Sequence, residues 1–406
     1  RISSAHQMGI HVEGQRLDTE KLVQWKEKIV RQLTGGVGHL LAKNGVEVVS
    51  GMGRVVSPNR VEVQSETGIQ VLEGKNIVVA TGSRPIELPG FDFDGERVWS
   101  STHALSPREV PGRVLVIGGG YIGLELGFVY RSLGSEVRVV EFLDRVLANM
   151  DPDLSKEMTR ALKKHKIPLH LGAKAKGYRE TREGLVVTVE LQGGKTEEHA
   201  CDVILSSVGR VPNGKGLGLE EIGAEIDDQG FVRVDAQRRT RVPNVYAIGD
   251  VTGQPMLAHK GSAEGLVAAA AIAGQAGAAF DPAGIPLVVF TDPEIAAVGL
   301  TEEEARARGF EPVVGKFPFK ASGRALSLNE TDGWTKVIAD KSTDRILGVH
   351  MIGPEVTELI AEPTLALELG ATAEDIAMTI HAHPTLPETV MEAAENLHRR
   401  ALHILN

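Results

Sequence analysis

One stretch limits the fold more than any other. Val114-Leu115-Val116-Ile117 is continuously apolar, as a strand buried on both faces is, and it runs directly into Gly118-Gly119-Gly120-Tyr121-Ile122-Gly123. A helical pattern follows to about Leu133, then a second strand over Glu136–Glu141. Strand, G-x-G-x-x-G, helix and strand make a βαβ unit. In such a unit Gly118 makes the tight turn, Gly120 lets the backbone approach a pyrophosphate, and Gly123 lets the helix pack close to the sheet. The helix N-terminus then presents unpaired N–H groups and a positive dipole end to the phosphates. Glu141 stands 23 residues after Gly118. An acid there accepts hydrogen bonds from a ribose 2′-hydroxyl and repels a 2′-phosphate, so NAD is expected rather than NADP. Arg145 nearby would suit NADP, but the acid at the strand end outweighs it. Glu125 follows two residues after Gly123 on the same helix, where the ordinary reading is a solvated carboxylate.

A second nucleotide site is legible in part. Asn244-Val245-Tyr246-Ala247-Ile248-Gly249-Asp250 is an apolar strand ending in Gly-Asp, and a carboxylate there suits a sugar or ribitol hydroxyl. Ile77-Val78-Val79-Ala80 reads as a strand buried on both faces, and it ends the same way, in Thr81-Gly82. Either ending alone is a common strand-to-turn sequence; together they suggest one domain split around the NAD unit. No strand with its own glycine turn precedes Ala80, so this domain is expected to lack its opening βαβ unit. The expected partition is 1–110 for the first part of that domain, 111–233 for the NAD unit, 234–280 for the second part and 281–406 for an α+β domain.

Finer elements follow from periodicity. Asp18 or Thr19 caps a helix carrying the apolar stripe Leu22, Ile29, Leu33, Val37 and Leu40, and Asn44-Gly45 stops it. Strands are expected at Val46–Val49 and Arg60–Val63, and a hairpin around Leu185–Leu191. Val203–Val208 closes the NAD unit, with Gly209 directly after it counted among the cofactor-binding glycines. Val232–Asp250 returns to strand character, and a helix runs from Ser262 to Ala273. Beyond Pro286, strands at Leu287–Phe290, Thr335–Ala339 and Ile346–Met351 alternate with helices at Thr301–Arg308, Val356–Leu369, Ala373–Ile380 and Glu388–Leu405.

His381-Ala382-His383-Pro384-Thr385-Leu386-Pro387-Glu388 stands between two helical patterns. Two histidines two apart invite a metal, but no third ligand sits at a suitable spacing, and no metal is expected. The mechanistic reading pairs His383 with Glu388. The carboxylate orients one ring nitrogen and favours the charged ring, leaving the other nitrogen free for proton transfer. The alternative is a structural histidine in a proline-rich turn.

Composition excludes several partners. The net charge is -10 with both signs mixed along the chain, which argues against nucleic acid and anionic membranes. No apolar run reaches the ~18 residues of a membrane span, and the first residues show no signal-peptide pattern. With one cysteine, Cys201, no intrachain disulfide can form. A cytoplasmic protein is expected.

The residues together resemble a family. Gly118 to Glu125, Asn244 to Asp250, Met256-Leu257-Ala258-His259-Lys260 and His383 to Glu388 resemble the pyridine nucleotide–disulfide oxidoreductases, in order and over nearly the whole chain. The likeness is greatest to the members that oxidise dihydrolipoamide with NAD+. It implies an α/β homodimer with two Rossmann-like domains, binding FAD and NAD, and a C-terminal α+β dimerisation domain. It implies that Asp250 holds the FAD ribitol, that Met256, Leu257 and Ala258 lie against the flavin, and that Thr81 and Gly82 close over the FAD. Glu125 would sit near the flavin–nicotinamide contact, and His383 would reach across the dimer to take a thiol proton. The implied partners are the lipoyl domains of a 2-oxo acid dehydrogenase or glycine-cleavage complex.

The sequence departs from that family at its start. The opening FAD glycine motif and the Cys-x4-Cys helix are not in it. Cys201 reads as an ordinary half-buried cysteine that cannot substitute. As it stands the chain is expected to leave the disulfide half-reaction undone and to bind FAD poorly. A form that binds NAD without flavin, and an interaction protein reusing the dimerisation domain, are the alternatives.

Overall fold

The computed structural model describes residues 6, 8–14 and 16–405. Helix α1 (Thr19–Lys43) leads into an antiparallel meander of β1 (Met52–Ser57), β2 (Arg60–Ser65) and β3 (Gly68–Glu73). The Asp18 carboxylate caps α1 by accepting from the Lys21 N–H, and Asn44 closes it. None of its residues is buried, although Leu33, Val37 and Leu40 form the expected stripe. Periodicity makes the helix, but burial depends on what comes to lie against it. The strand expected at Val46–Val49 is absent. Valines become a strand only where a ladder partner meets them, and β2 pairs with Met52–Ser57 instead.

Next come β4 (Ile77–Val79), β5 (Ser83–Pro85), β6 (Val98–Trp99) and α2 (Ser101–Ala104). The central unit then runs β7 (Arg113–Ile117), α3 (Tyr121–Leu133), β8 (Glu136–Val140), α4 (Pro152–Lys164) and β9 (Leu169–His170). A second meander follows, of β10 (Lys174–Thr181), β11 (Gly184–Glu190) and β12 (Thr196–Cys201), and β13 (Val203–Ser206) closes the unit. The parallel sheet has the order β6-β13-β7-β8-β9. On one face Val116, Val137 and Val139 pack against Leu124, Leu154 and Met158 of the helices. On the other, Leu115, Ile117 and Ile204 meet Leu185, Val187 and Val189 of the meander. The hairpin expected near Leu185 is therefore three strands, because β10 and β12 carry mostly charged outward residues and little apolar signal. The border expected at 111 is crossed by Val98–Trp99, which pairs with β13.

After β14 (Arg210–Pro212), which pairs with β5, the chain reaches β15 (Val245–Ala247) and α5 (Ala258–Ile272). The strand character expected across Val232–Asp250 is confined to β15 and isolated bridges. Leu219, Ala224 and Val232 pack with Val55, Val79 and Val245 in a cluster separate from those of the parallel sheet. β15 runs parallel to β4. Val79 is buried, but Val78 is 42% exposed, against the expectation of burial on both faces. The face that Val78 shares is covered over β15, where Tyr246 packs against Ala268 and Ala271, but not over Val78 itself.

The last unit is α+β. β16 (Leu287–Val289), β17 (Glu294–Gly299), α6 (Glu302–Ala307), β18 (Pro312–Pro318), α7 (Gly323–Leu328), β19 (Trp334–Asp340) and β20 (Ile346–Gly353) precede four helices. These are α8 (Val356–Leu359), α9 (Ala361–Leu369), α10 (Ala373–Met378) and α11 (Glu388–Leu397). The sheet is antiparallel with the order β16-β17-β20-β19-β18. The sequence pattern misses β18, whose flanking prolines and central glycine argue against a strand. It is an edge strand, where proline is tolerated. Gly315 is needed there, since a Cβ would stand 1.9 Å from the Ala393 carbonyl oxygen of α11. No helix among the described residues is long and apolar enough to cross a membrane.

Candidate active site

The C-terminal ends of β7 and β8 open into a cavity of about 1330 Å³, where ligands settle in open parallel sheets. Gly118, Gly119, Gly120, Glu141 and Gly209 line it from the parallel-sheet unit, Met256 from the chain after β15, and Leu300, Glu304 and Arg308 from the last unit. Gly118 has φ +106°, and a Cβ on it would meet the Ser207 carbonyl oxygen at 2.5 Å. Gly123 lies beneath the turn, where a Cβ would be 2.2 Å from the Gly118 oxygen. Glu141 is buried. Its Oε2 accepts from the Gly119 N–H at 2.5 Å and its Oε1 from the Leu143 N–H at 2.7 Å. Each carboxylate oxygen keeps a second lone pair for a ribose hydroxyl.

Three features of this cavity fit a dinucleotide. A Cβ on Gly120 would meet no protein atom within 4 Å, so the space is open where a phosphate would approach. The N-terminus of α3 has no side-chain cap, leaving its N–H groups and dipole for an anion. Arg145 donates from Nη2 to the Ala148 carbonyl, while its buried Nε has no partner.

The second set of residues gathers where β4 and β15 end side by side. Asp250 Oδ2 accepts from the Ser83 hydroxyl at 2.5 Å, and Arg210 Nε donates to the same hydroxyl oxygen at 2.7 Å. Thr81 and Asn213 exchange two hydrogen bonds, and Gly82 (φ +66°) faces open space. Glu264, fully buried on α5, accepts from the Gly249 N–H at 2.6 Å and is neutralised by Lys260 and Arg238. It anchors the turn that presents Asp250. This carboxylate on an uncapped turn beside an open glycine fits a flavin nucleotide. Leu257 is the N-cap of α5 and Ala258 its first residue, and neither lines the large cavity as Met256 does. Tyr121, half-buried, has Arg210, Asp250 and Glu125 around it and so stands between the two sets. Glu125 Oε1 accepts from the Phe290 N–H at 2.9 Å, and burial pushes its carboxyl up despite that bond.

His383 and Glu388 lie apart from the cavity. His383 Nδ1 is 2.9 Å from Glu388 Oε1, and the Thr385 N–H donates to Oε2 at 2.7 Å. Burial pushes the Glu388 carboxyl up, but the Thr385 N–H and His383 outweigh it and hold it low. The His383 side chain is 71% exposed, with Nε2 free of partners among the described residues. The two histidines of the motif do not converge. His381 reaches the Thr379 carbonyl through Nδ1 and Glu362 through Nε2. Both partners are acceptors, so only the doubly protonated ring satisfies both. Glu362 raises the His381 pKa against the effect of burial. A group raised on folding stabilises fully below its ordinary value of about 6.5 and ceases to as pH rises through the raised one. His381→Asn is therefore expected to lower the melting temperature more at about pH 6 than at about pH 9. Equal losses at both would refute the charged ring.

Sequence reasoning gave no role to Ser83, Arg210, Glu264 or Lys260, and the first three matter through contacts between distant segments. Lys260 and Glu264 do stand at i and i+4 with an acid and a base, a signal that could have found them. Cys201 is buried rather than half-buried, and burial with Asp202 nearby pushes its thiol up to about 12. Such a thiol is inert at neutral pH.

With this geometry in view, comparison with known proteins is decisive. Residues 4–265 match the pyridine nucleotide-disulphide oxidoreductase family and residues 285–394 its dimerisation domain. The chain belongs to this family. It is 47% identical over 407 residues to a Haloferax volcanii protein named dihydrolipoyl dehydrogenase, covering 99% of this chain and 85% of that one. Proteins of the same name from Thermus scotoductus and Bacillus subtilis are 50% and 49% identical, each with 84% of its length covered. Among solved structures, LpdA from Mycobacterium tuberculosis superposes with a TM-score of 0.89 at 27% identity, covering 98% of this chain and 86% of that one. The HOCl-induced flavoprotein disulfide reductase RclA from Escherichia coli reaches 0.84 at 25% identity, covering 96% of this chain and 86% of that one. FAD and NAD are the cofactors that come with this family type.

Proposed function

We propose that the protein is a dihydrolipoyl dehydrogenase. It oxidises dihydrolipoamide and passes the electrons to NAD+, acting in the cytoplasm as a homodimer on the lipoyl domains of a 2-oxo acid dehydrogenase or glycine-cleavage complex. The carrying observation is the pairing of a buried Glu141 in a dinucleotide cavity with an exposed His383–Glu388 dyad on the dimerisation unit. When bound, FAD relays two electrons and NAD+ accepts them as hydride. The thiol step runs through a redox disulfide, which these 406 residues with their single cysteine do not supply; what they do is bind, orient and move a proton. Gly118, Gly120 and Gly123 shape the pyrophosphate turn, Glu141 and Gly209 border the NAD site, and Glu125 stands near Tyr121, which lines the same cavity. Thr81, Gly82, Asp250, Met256, Leu257 and Ala258 form the flavin side. His383 takes the thiol proton at Nε2, and Glu388 orients the ring and stabilises its charge. Cys201 takes no part in the thiol–disulfide step, being buried and protonated. We place the NAD unit near residues 96–210, the flavin unit on either side of it and the dimerisation unit after about 285.

The test is NADH formation from dihydrolipoamide by the flavin-loaded protein carrying the family's opening FAD motif and Cys-x4-Cys helix ahead of these residues, alongside its visible spectrum. Turnover with NAD+ and flavin bands is the expected result. NAD binding with no flavin bands would instead favour a form that binds NAD alone. Glu141→Ala is expected to cut the preference for NAD+ over NADP+ by about tenfold, ~1.4 kcal/mol. An unchanged ratio of kcat/KM values would remove Glu141 from the ribose site.

A further inference from the structure

Among the described residues, one cluster of metal-ligating side chains lies outside the nucleotide cavity and belongs to no step above. His170 ends β9, the edge strand of the parallel sheet, while Glu197 and His199 stand two apart on one face of β12, the edge strand of the meander. One ligand atom from each lies within 4.8 Å of the others. The two imidazole rings are 4.8 Å apart between centroids, and Glu197 Oε2 is 3.9 Å from His199 Nε2. We propose that His170, Glu197 and His199 bind a divalent transition-metal ion of the zinc type, clipping the meander to the sheet edge.

The second observation is an unpartnered nitrogen. The His199 side chain is nine-tenths buried, and its Nε2, aimed at Glu197, has no hydrogen-bond partner. Buried polar atoms are almost always partnered, so an orphan calls for an unseen ligand. Two imidazoles and a carboxylate are a zinc, copper or nickel set, whereas calcium and magnesium take oxygen alone. Burial and the Arg138 guanidinium both push His170 and His199 down, towards the neutral rings that a metal requires. Glu197 offers Oε2 to the site while Oε1 is paired with Lys195 at 2.8 Å. Zinc bonds of about 2.0–2.2 Å would draw the three atoms together, a change within side-chain rotation on two edge strands.

Arg138 of β8 guards the site. Its Nη1 lies 2.8 Å from His170 Nε2 and holds that nitrogen's lone pair. The ion and the guanidinium cannot share it, so binding requires Arg138 to swing outward. The sequence offers no hint of such a site, because its ligands are spread over two strands of different sheets.

The test is calorimetric titration of the chelator-treated, flavin-loaded protein with Zn²⁺, with melting curves for every variant. One equivalent per chain is expected, with a rise in melting temperature, since an ion bound only to the folded state stabilises it. Glu197→Gln and His199→Asn are each expected to weaken binding at least tenfold, and Arg138→Met to tighten it. Dihydrolipoamide turnover should be unchanged in all three. No stoichiometric binding to the unaltered protein overturns the proposal, whatever Arg138→Met does. So does a site of equal affinity in both Glu197→Gln and His199→Asn, which would assign the zinc to other histidines. If His199→Asn melts early, Glu197→Gln alone decides.

Discussion

Replacing His383 with alanine is expected to lower dihydrolipoamide:NAD+ turnover by roughly 10²–10⁴-fold, the usual contribution of a positioned general base. Flavin content and melting temperature should stay as they were. Among the described residues the exposed His383 side chain is bonded only to Glu388, so nothing in the core depends on it. Glu388→Gln should cost less. The amide oxygen can still accept from one donor, but it no longer offers two charged acceptors to the Thr385 N–H and the His383 ring. Near-normal turnover in His383→Ala would remove the base assignment. Loss of flavin in the same variant would move the residue to a structural role.

The second large effect separates two glycines of one turn. In Gly123→Ala the new methyl group meets the Gly118 carbonyl oxygen at 2.2 Å and the Ser207 hydroxyl at 2.5 Å. Helix α3 must lift from β7, and overpacking of this kind costs about 1–3 kcal/mol. NAD affinity and melting temperature are both expected to fall, the latter by several degrees. In Gly120→Ala the methyl group meets no protein atom within 4 Å, and φ is an ordinary −78°. It occupies the space that a pyrophosphate would take. NAD affinity should drop at least tenfold while the melting temperature holds. Calorimetric titration with NAD+ and thermal melts decide it. If both variants lose stability alike, the turn is a packing feature and not a ligand cradle.

The legible parts of this molecule are those in which one segment carries its own reason. The Val114–Gly123 run specifies strand, turn and helix by local chemistry, and Glu141 follows at a fixed distance along the same unit. The His383–Glu388 pair is also local, five residues apart on one turn. Elements whose formation needs a distant partner were hidden. β18 has proline at both ends and glycine in the middle, yet it pairs with β19 along its whole length. Val46–Val49 has the composition of a strand and no ladder.

The sequence by itself determined the glycine turn, the acid that follows the second parallel strand, the apolar strands of the parallel sheet and the presence of a single cysteine. These follow from backbone sterics, charge and hydrophobic period, all of which act over a few residues. Tertiary structure alone decided that Ser83, Arg210 and Glu264 would converge around Asp250, across separations of up to 167 residues. It also decided that Cys201 would be buried, that Val78 would not, and that His170 would meet His199 at the edge of two sheets. Which residues become neighbours depends on how whole layers stack, and no period of two or of 3.6 residues carries that information.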